Sequence, residues 1–278
     1  MKKLMTALVL FCLVAAQSQA QSLKTPPPST PQFVRQDFGL SNIELSYSRP
    51  GKKGRTIFGD LVPFGKVWRT GANGATTLTF GDDVQIGGTR VPAGKYGLLS
   101  IPGEKQWTLI ITKQLDVTSP GAYKPDQDVV RVSATVEPLA NSLETFTIQF
   151  DNVSPNSCDL VLSWDKTSVT LPIKEEIDAK IMAQIDEAFN KDNHPYFAAA
   201  TYYMENGKDL NKALGWFNKA TELNPTAYFI FYQKARCQAK LGKNQDAIAT
   251  AQKSMQLAKD AGNPDYVALN EKLIASLK

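Results

Sequence analysis

Basic and aromatic side chains recur between residues 49 and 75, and they are the side chains in this sequence best suited to hold a ligand. A guanidinium group recognises a carboxylate or phosphate through two parallel hydrogen bonds, while an indole ring stacks on a flat ring or a sugar. A carboxamide both donates and accepts hydrogen bonds. The candidate binding residues are Arg49, Arg55, Lys66, Trp68, Arg69 and Asn73. Trp68 beside Arg69 is the most suggestive pair, and the set suits a carbohydrate or an anionic metabolite.

The same segment also has a structural interpretation. Trp68 can belong to the hydrophobic core, and Arg69 can pair with an internal acid that pins the loop. Glycine and proline recur every few residues, so long regular elements are not expected. Apolar residues within the segment argue against disorder, and long ordered loops are often functional. They include Ile57, Phe58, Leu61, Val62 and Val67. The sequence leaves both interpretations open.

Other patterns that support catalysis or metal binding are weak. The single histidine, His194, precedes a proline at a predicted helix start, so neither a Ser-His-Asp triad nor a zinc site is expected. The tightest carboxylate pair, Asp82-Asp83, is explained by a turn. We therefore predict no catalytic residues, no metal and no cofactor. The sequence favours a non-enzymatic protein without deciding the question.

The first 20 residues have the pattern of a secretory signal peptide. Lys2 and Lys3 precede an apolar stretch over residues 4–16, and Ser18-Gln19-Ala20 places cleavage after Ala20. The alternative is a retained anchor, which the shortness of the apolar stretch disfavours. Cleavage lowers the formal charge from +4 to +2, and without a Lys/Arg cluster this argues against a nucleic-acid partner. We expect an exported, soluble, periplasmic protein with no membrane span after cleavage.

The composition is that of a globular protein, and the length suits one large domain or two smaller ones. The chain has 278 residues, of which 42% are hydrophobic and 21% charged. The mature chain keeps Cys158 on a predicted strand and Cys237 on a predicted helix. A disulfide can form between them in an oxidising compartment, but two separately buried thiols are favoured.

Residues 33–173 are predicted to form a mostly antiparallel β-sandwich. Short runs of alternating apolar and polar residues follow one another without a helical stretch. Gly87-Gly88 supplies the positive φ angles of a tight hairpin turn. Ahead of the sandwich, residues 21–32 are predicted to be a proline-rich, extended leader. The fold class is therefore α+β, with the sandwich followed by helices.

Residues 174–278 are predicted to form a tetratricopeptide-like helical array. An apolar stripe at four-residue steps marks a helix over residues 175–190. Ala213 and Ala247 occupy equivalent places 34 residues apart, which is the length of this repeat. Further helices are predicted over residues 228–241 and 266–277. About two repeats are present, which is too few to be stable alone.

Several motifs in the sandwich segment resemble the DUF2911 family of exported bacterial proteins. They are Ser48-Arg49-Pro50, Lys53-Gly54-Arg55, Ile57-Phe58-Gly59, Leu61-Val62-Pro63, Val67-Trp68-Arg69-Thr70-Gly71-Ala72-Asn73 and Ala93-Gly94-Lys95-Tyr96. The resemblance spans residues 33–173. It implies a signal peptide and, in some members, helical repeats behind the β-domain. The family is of unknown function, so the resemblance transfers no catalytic or binding residue.

Three functions follow from these patterns. The favoured one is a non-enzymatic binding or scaffold protein of the cell envelope, whose helical repeats engage a peptide or protein partner. The second is a small-ligand receptor or hydrolase that uses a pocket of the β-domain. The third is a structural envelope protein without a ligand. Exposure of Arg69 in a pocket walled by Trp68 favours the second, whereas burial of Arg69 against an aspartate disfavours it.

Overall fold

The computed structural model of the chain describes residues 25–191 and 194–278. They form two compact units that divide between Ile177 and Asp178. The first unit, called the β-unit below, contains two antiparallel sheets, and the second, the helical unit, contains α-helices. The α+β fold class is therefore confirmed. The predicted signal peptide over residues 1–20 lies outside the described residues.

The larger sheet of the β-unit has the strand order β1-β2-β3-β6-β7-β8, and each neighbouring pair is antiparallel. Its strands are β1 (Thr30–Phe38), β2 (Ser41–Arg49), β3 (Thr76–Phe80), β6 (Gly94–Ile101), β7 (Gln106–Thr112) and β8 (Asp128–Thr135). Alternation puts every second side chain on one face. In β2 this alternation buries Ile43, Leu45 and Tyr47 in the core.

The smaller sheet has the order β5-β4-β10-β9. Its strands are β4 (Val84–Ile86), β5 (Thr89–Val91), β9 (Glu137–Asp151) and β10 (Ser157–Lys174). The predicted hairpin is confirmed, because Gly87 and Gly88 join β4 to β5 with φ angles of 56° and 79°. Both sheets contribute to one core, in which Trp107 from β7 and Trp164 from β10 are almost fully buried.

The first strand begins earlier than the sequence indicated. Residues 21–32 were predicted to be an extended leader, yet Thr30 pairs with Arg49 and Gln32 pairs with Tyr47 in the β1–β2 ladder. Proline-rich composition does not prevent this pairing, because β1 is an edge strand, where a missing backbone N–H is tolerated.

Residues 50–75 connect β2 to β3 through turns and isolated bridges, as their glycine and proline content predicted. Gly51 bridges to Thr145 of β9 in the smaller sheet. Trp68 bridges to Ser100 of β6 in the larger sheet. The segment is therefore ordered, and it touches both layers of the sandwich.

From the helix at Tyr196–Glu205 onward, each helix of the helical unit packs against the next one. The helices are α1 (Asp178–Phe189), α2 (Tyr196–Glu205), α3 (Leu210–Leu223), α4 (Tyr228–Lys240), α5 (Asn244–Asp260) and α6 (Pro264–Ser276). Helices α3 and α5 begin 34 residues apart, and Gly207 and Gly242 take positive φ angles in the turns before them. The predicted repeat length is thus confirmed. No helix in the described part of the chain is long and apolar enough to cross a membrane.

Two helix boundaries differ from the prediction. Helix α1 begins at Asp178 and not at Glu175, because the Glu175 backbone N–H donates to Asn156 O and prolongs the end of β10. Helix α6 begins at Pro264, two residues before the predicted start. Asn263 caps it by accepting a hydrogen bond from Tyr266 N at 3.1 Å, and a proline is favourable in the first turn.

Cys158 and Cys237 are buried and unpaired, as favoured from the sequence. Cys158 lies in β10 and Cys237 in α4. Burial raises the pKa of the Cys158 thiol to about 12, so the reactive thiolate is scarce at neutral pH.

An ion pair at the start of the connecting segment links it to β10. Lys52 Nζ lies 2.7 Å from Asp165 Oδ1, and Ser142 Oγ donates to the same oxygen at 2.6 Å. The hydrogen bond from Lys52, followed by the one from Ser142, lowers the pKa of the Asp165 carboxyl. A lowered pKa stabilises the fold above the unfolded-state value of about 3.9, and the effect is lost as pH falls through the folded value.

We expect Asp165→Asn to lower the free energy of unfolding at pH 7 by up to about 1 kcal/mol, the range of a partly exposed ion pair. Asn tolerates the φ angle of 52° at this position, so backbone strain does not confuse the result. The difference should be smaller at pH 3 than at pH 7, because protonation of the Asp165 carboxyl removes the ion pair. Urea denaturation at both pH values measures it, with Asp116→Asn, an exposed carboxylate, as the control. An equal loss at both pH values would contradict the ion-pair explanation.

Candidate functional site

An aromatic cluster between the sheets fixes the middle of the connecting segment. The Trp68 ring stacks on that of Trp164 with centroids 6.0 Å apart and meets Phe146 edge-on at 5.0 Å. Phe58 packs edge-on against Trp107 at 4.8 Å. Aromatic pairs at these distances are favourable beyond the area they bury. Trp68 therefore packs against the core, as its structural interpretation predicted, while its side chain stays only partly buried.

Backbone bonds next to Trp68 fix the direction of the chain. Trp68 and Ser100 exchange two backbone hydrogen bonds of 2.7 and 3.0 Å. Thr70, which is fully buried, has a φ angle of 56°, and its hydroxyl lies 2.9 Å from Ser100 Oγ. A left-handed conformation is unfavourable for a β-branched residue and persists only where its surroundings hold it. These bonds set the direction of Arg69, which lies between the two.

A cavity of about 400 Å³ is lined in part by Trp68. It lies between the connecting segment, the 118–120 loop and Trp164. Three of its lining residues are cationic, namely Arg55, Lys66 and Arg69, and none is an aspartate or glutamate. Most of the others are apolar. This space, called the Arg69 cavity below, is positively charged and lies within the β-unit.

Arg69 is half-buried, and among the described residues its guanidinium group has a single hydrogen-bond partner. Nη1 donates to the backbone oxygen of Thr118. The Nε atom is buried without a hydrogen-bond partner. Among the residues that the structure describes, no carboxylate forms an ion pair with Arg69. The interpretation that Arg69 pairs with an internal acid is therefore wrong, because a loop carbonyl and not an acid holds the side chain.

The structure brings four of the six candidate residues to this cavity, namely Arg55, Lys66, Trp68 and Arg69. Lys66 is exposed. Arg55 is exposed too, and it donates to Gly51 O at 2.6 Å and to Lys52 O at 3.0 Å. Both therefore place positive charge at the mouth of the cavity.

The other two candidates lie outside the lining. Arg49 donates from Nε to Phe146 O at 3.1 Å and from Nη2 to Thr147 Oγ1 at 2.8 Å, which ties β2 to β9. Asn73 has a φ angle of 61° and donates to Ser48 Oγ at 3.1 Å and Ser29 O at 3.3 Å. The backbone and neighbouring strands occupy the donors of both side chains, so they shape the fold around the cavity.

Sequence reasoning missed the far wall of the cavity. Thr118, Ser119 and Pro120 lie in the connection between β7 and β8, and Trp164 lies in β10. The dipeptide Ser119-Pro120 signals a turn. No periodicity relates that turn to Arg69, 49 residues earlier, since the contact depends on the pairing of whole strands.

The lining of the cavity combines cationic, hydroxyl and apolar side chains. Its described lining contains no aspartate, glutamate, histidine or cysteine side chain that could move a proton or attack a substrate. Elsewhere in the described ranges, no group of three His, Cys, Asp or Glu side chains is placed to hold a metal ion. A fixed guanidinium group in apolar surroundings can recognise an anion.

These features define the class of protein: an antiparallel sandwich that carries a cationic cavity, followed by tetratricopeptide-like helices. The family model described as "Protein of unknown function (DUF2911)" matches residues 29–173, more than half of the chain. The chain therefore belongs to the DUF2911 family, and the match starts four residues before the resemblance noted from the motifs. No curated protein matches the chain.

The chain is similar over part of its length to two solved structures, one by NMR and one by crystallography, of a tetratricopeptide repeat domain protein from Salinibacter ruber. Each is 18% identical to this chain and covers 30% of it, with a TM-score of 0.28. The match covers 82% of the NMR chain and 91% of the crystal chain. The repeat assignment here rests instead on the 34-residue spacing of α3 and α5.

Proposed function

We propose that this protein is a non-enzymatic receptor that binds a small anionic ligand in the Arg69 cavity. The observation that carries the proposal is the guanidinium group of Arg69, which lines a cavity and has no carboxylate partner among the described residues. This reverses the order of the sequence-based hypotheses, in which helical repeats that engage a partner ranked first.

Electrostatics and size both support an anionic ligand. A charged group taken partly out of water is costly unless a counter-charge or hydrogen bonds compensate, and one loop carbonyl supplies Arg69 with a single acceptor. Lys66 and Arg55 add positive charge that attracts anions to the mouth. A cavity of about 400 Å³ falls in the range that small-molecule sites occupy.

We expect small anions to raise the melting temperature of the full chain, whereas their neutral analogues do not. A ligand at a hundred times its dissociation constant stabilises the folded state by about 2.7 kcal/mol. Thermal denaturation against a panel of mono- and dicarboxylates, sugar phosphates and matched neutral compounds measures the effect.

Arg69→Gln should abolish the stabilisation and leave the melting temperature without ligand nearly unchanged. The matched control is Arg90→Gln, since Arg90 is an exposed arginine of the same unit that pairs with Asp83 outside the cavity. Equal anion responses in both variants, or no response from any anion, would contradict the proposal.

A second candidate function, peptide binding by the helical unit, is favoured by a row of aromatic side chains across α2, α4 and α6. Phe197 contacts Phe229 with ring centroids 5.5 Å apart, and Tyr266 contacts Tyr228 at 4.9 Å and Tyr232 at 5.6 Å. Phe229 is 39% exposed. Helical repeats present such surfaces to extended peptides, and aromatic anchors dominate binding energies.

For a peptide selected on the full chain, we expect Phe229→Ala to weaken binding by about tenfold or more, as loss of an anchor residue does. Fluorescence polarisation with the labelled peptide measures the dissociation constant. Leu223→Ala is the control, because Leu223 is 68% exposed on α3 and outside the row. Peptides whose affinity is equal for both variants would count against this surface.

We also propose that the protein is exported. The support is the charged, apolar and small-residue pattern of residues 1–20. Expression with a secretory host should yield a chain that starts at Gln21, as read by N-terminal sequencing. A chain that keeps residues 1–20 would contradict this.

A further inference from the structure

One edge of the Arg69 guanidinium group donates a hydrogen bond to the protein, and another edge has no described hydrogen-bond acceptor. Nη1 donates to Thr118 O, which holds the group against the 118–120 loop. Nε is buried without an acceptor, and no described residue accepts a hydrogen bond from Nη2. The Nε and Nη2 hydrogens point the same way and form a two-pronged donor. This edge matches the two oxygens of a carboxylate.

Other arginines of the β-unit show how this edge is normally used. Arg90 directs Nε and Nη2 to one carboxylate oxygen of Asp83. Arg49 and Arg55 direct the same two atoms to oxygens of neighbouring residues. In all three the protein itself occupies the edge. At Arg69 the corresponding edge lacks a described partner and belongs to a residue that lines a cavity.

The rest of the lining suits an apolar body. The cavity is also lined by apolar side chains, namely Leu61, Val62, Val67 and the two indole rings of Trp68 and Trp164. Leu61 is 43% exposed, so its side chain is open to contact with a ligand in the cavity. Trp68 is only partly buried and adds an aromatic surface, which favours contact with a flat ring.

We infer that the ligand of the Arg69 cavity is a monocarboxylate carried on a flat apolar body of one or two rings. Arg69 binds the carboxylate side-on through Nε and Nη2, and the apolar body lies against Leu61 and Trp68. Lys66 and Arg55, which are exposed, attract the anion without setting its geometry. The inference rests on the proposed function and narrows its ligand class.

Isothermal titration calorimetry on the full chain tests this with four probes: 2-naphthoate, 2-naphthamide, acetate and inorganic phosphate. We expect 2-naphthoate to bind about tenfold or more tightly than 2-naphthamide, which has the same shape but lacks the charge. Acetate has the charge without the apolar body and should be weaker by at least a similar factor. Phosphate, a tetrahedral ion without an apolar part, should also be weaker.

Variants separate the two halves of the site. Arg69→Lys keeps the charge but removes the two-pronged edge, so 2-naphthoate affinity should fall about tenfold or more. Leu61→Ala should weaken 2-naphthoate and leave acetate unchanged. Leu40→Ala is the matched control, because Leu40 is 44% exposed and outside the cavity. Unchanged melting temperatures without ligand show that each variant is folded.

The outcomes distinguish this inference from the broader proposal. If acetate or phosphate binds as tightly as 2-naphthoate and needs Arg69, the cavity is an anion site and the inferred ligand class is wrong. If Arg69→Lys binds 2-naphthoate as well as the wild type, the side-on contact is wrong. If no probe binds and the wider anion panel also fails, both the inference and the proposed receptor function are overturned.

Discussion

The position of Trp68 between the two sheets determines where the cavity side chains lie. Its backbone exchanges two hydrogen bonds with Ser100 of the larger sheet, while its ring stacks on Trp164 of the smaller one. Because one residue is fixed to both layers, the segment on either side cannot shift without breaking core contacts. Arg69 follows directly, so its side chain leaves the core at a set point. The cavity therefore depends on a hydrophobic contact more than on its own charges.

Packing of the aromatic cluster stabilises the fold by more free energy than the conformation of the site costs. A non-glycine residue held in the left-handed conformation, such as Thr70, costs on the order of 1–3 kcal/mol. A half-buried guanidinium group without a counter-ion adds to this cost. Removing one large aromatic side chain from a core typically costs about 3–5 kcal/mol, and this cluster contains Trp68, Trp107, Phe146 and Trp164. Core packing thus maintains a backbone geometry that the site alone could not.

Local patterns in the sequence were enough to predict the elements, but not the contacts between distant ones. Alternation located the strands, Gly87-Gly88 located a hairpin, and a 34-residue spacing located the repeats. Arg49 and Arg69 look equivalent in sequence. They differ because oxygens of β9 lie beside Arg49, whereas a single loop carbonyl lies beside Arg69. That difference arises from strand pairing across the sandwich, which short-range periodicity does not encode.

The fold fixes the cationic group of Arg69 in advance, and a guanidinium group stays charged at all ordinary pH values. What the fold provides is orientation, because Trp68, Thr70 and Thr118 fix Arg69 before any ligand arrives. A donor held in place in this way loses little entropy on binding, which increases affinity for an anion of matching shape.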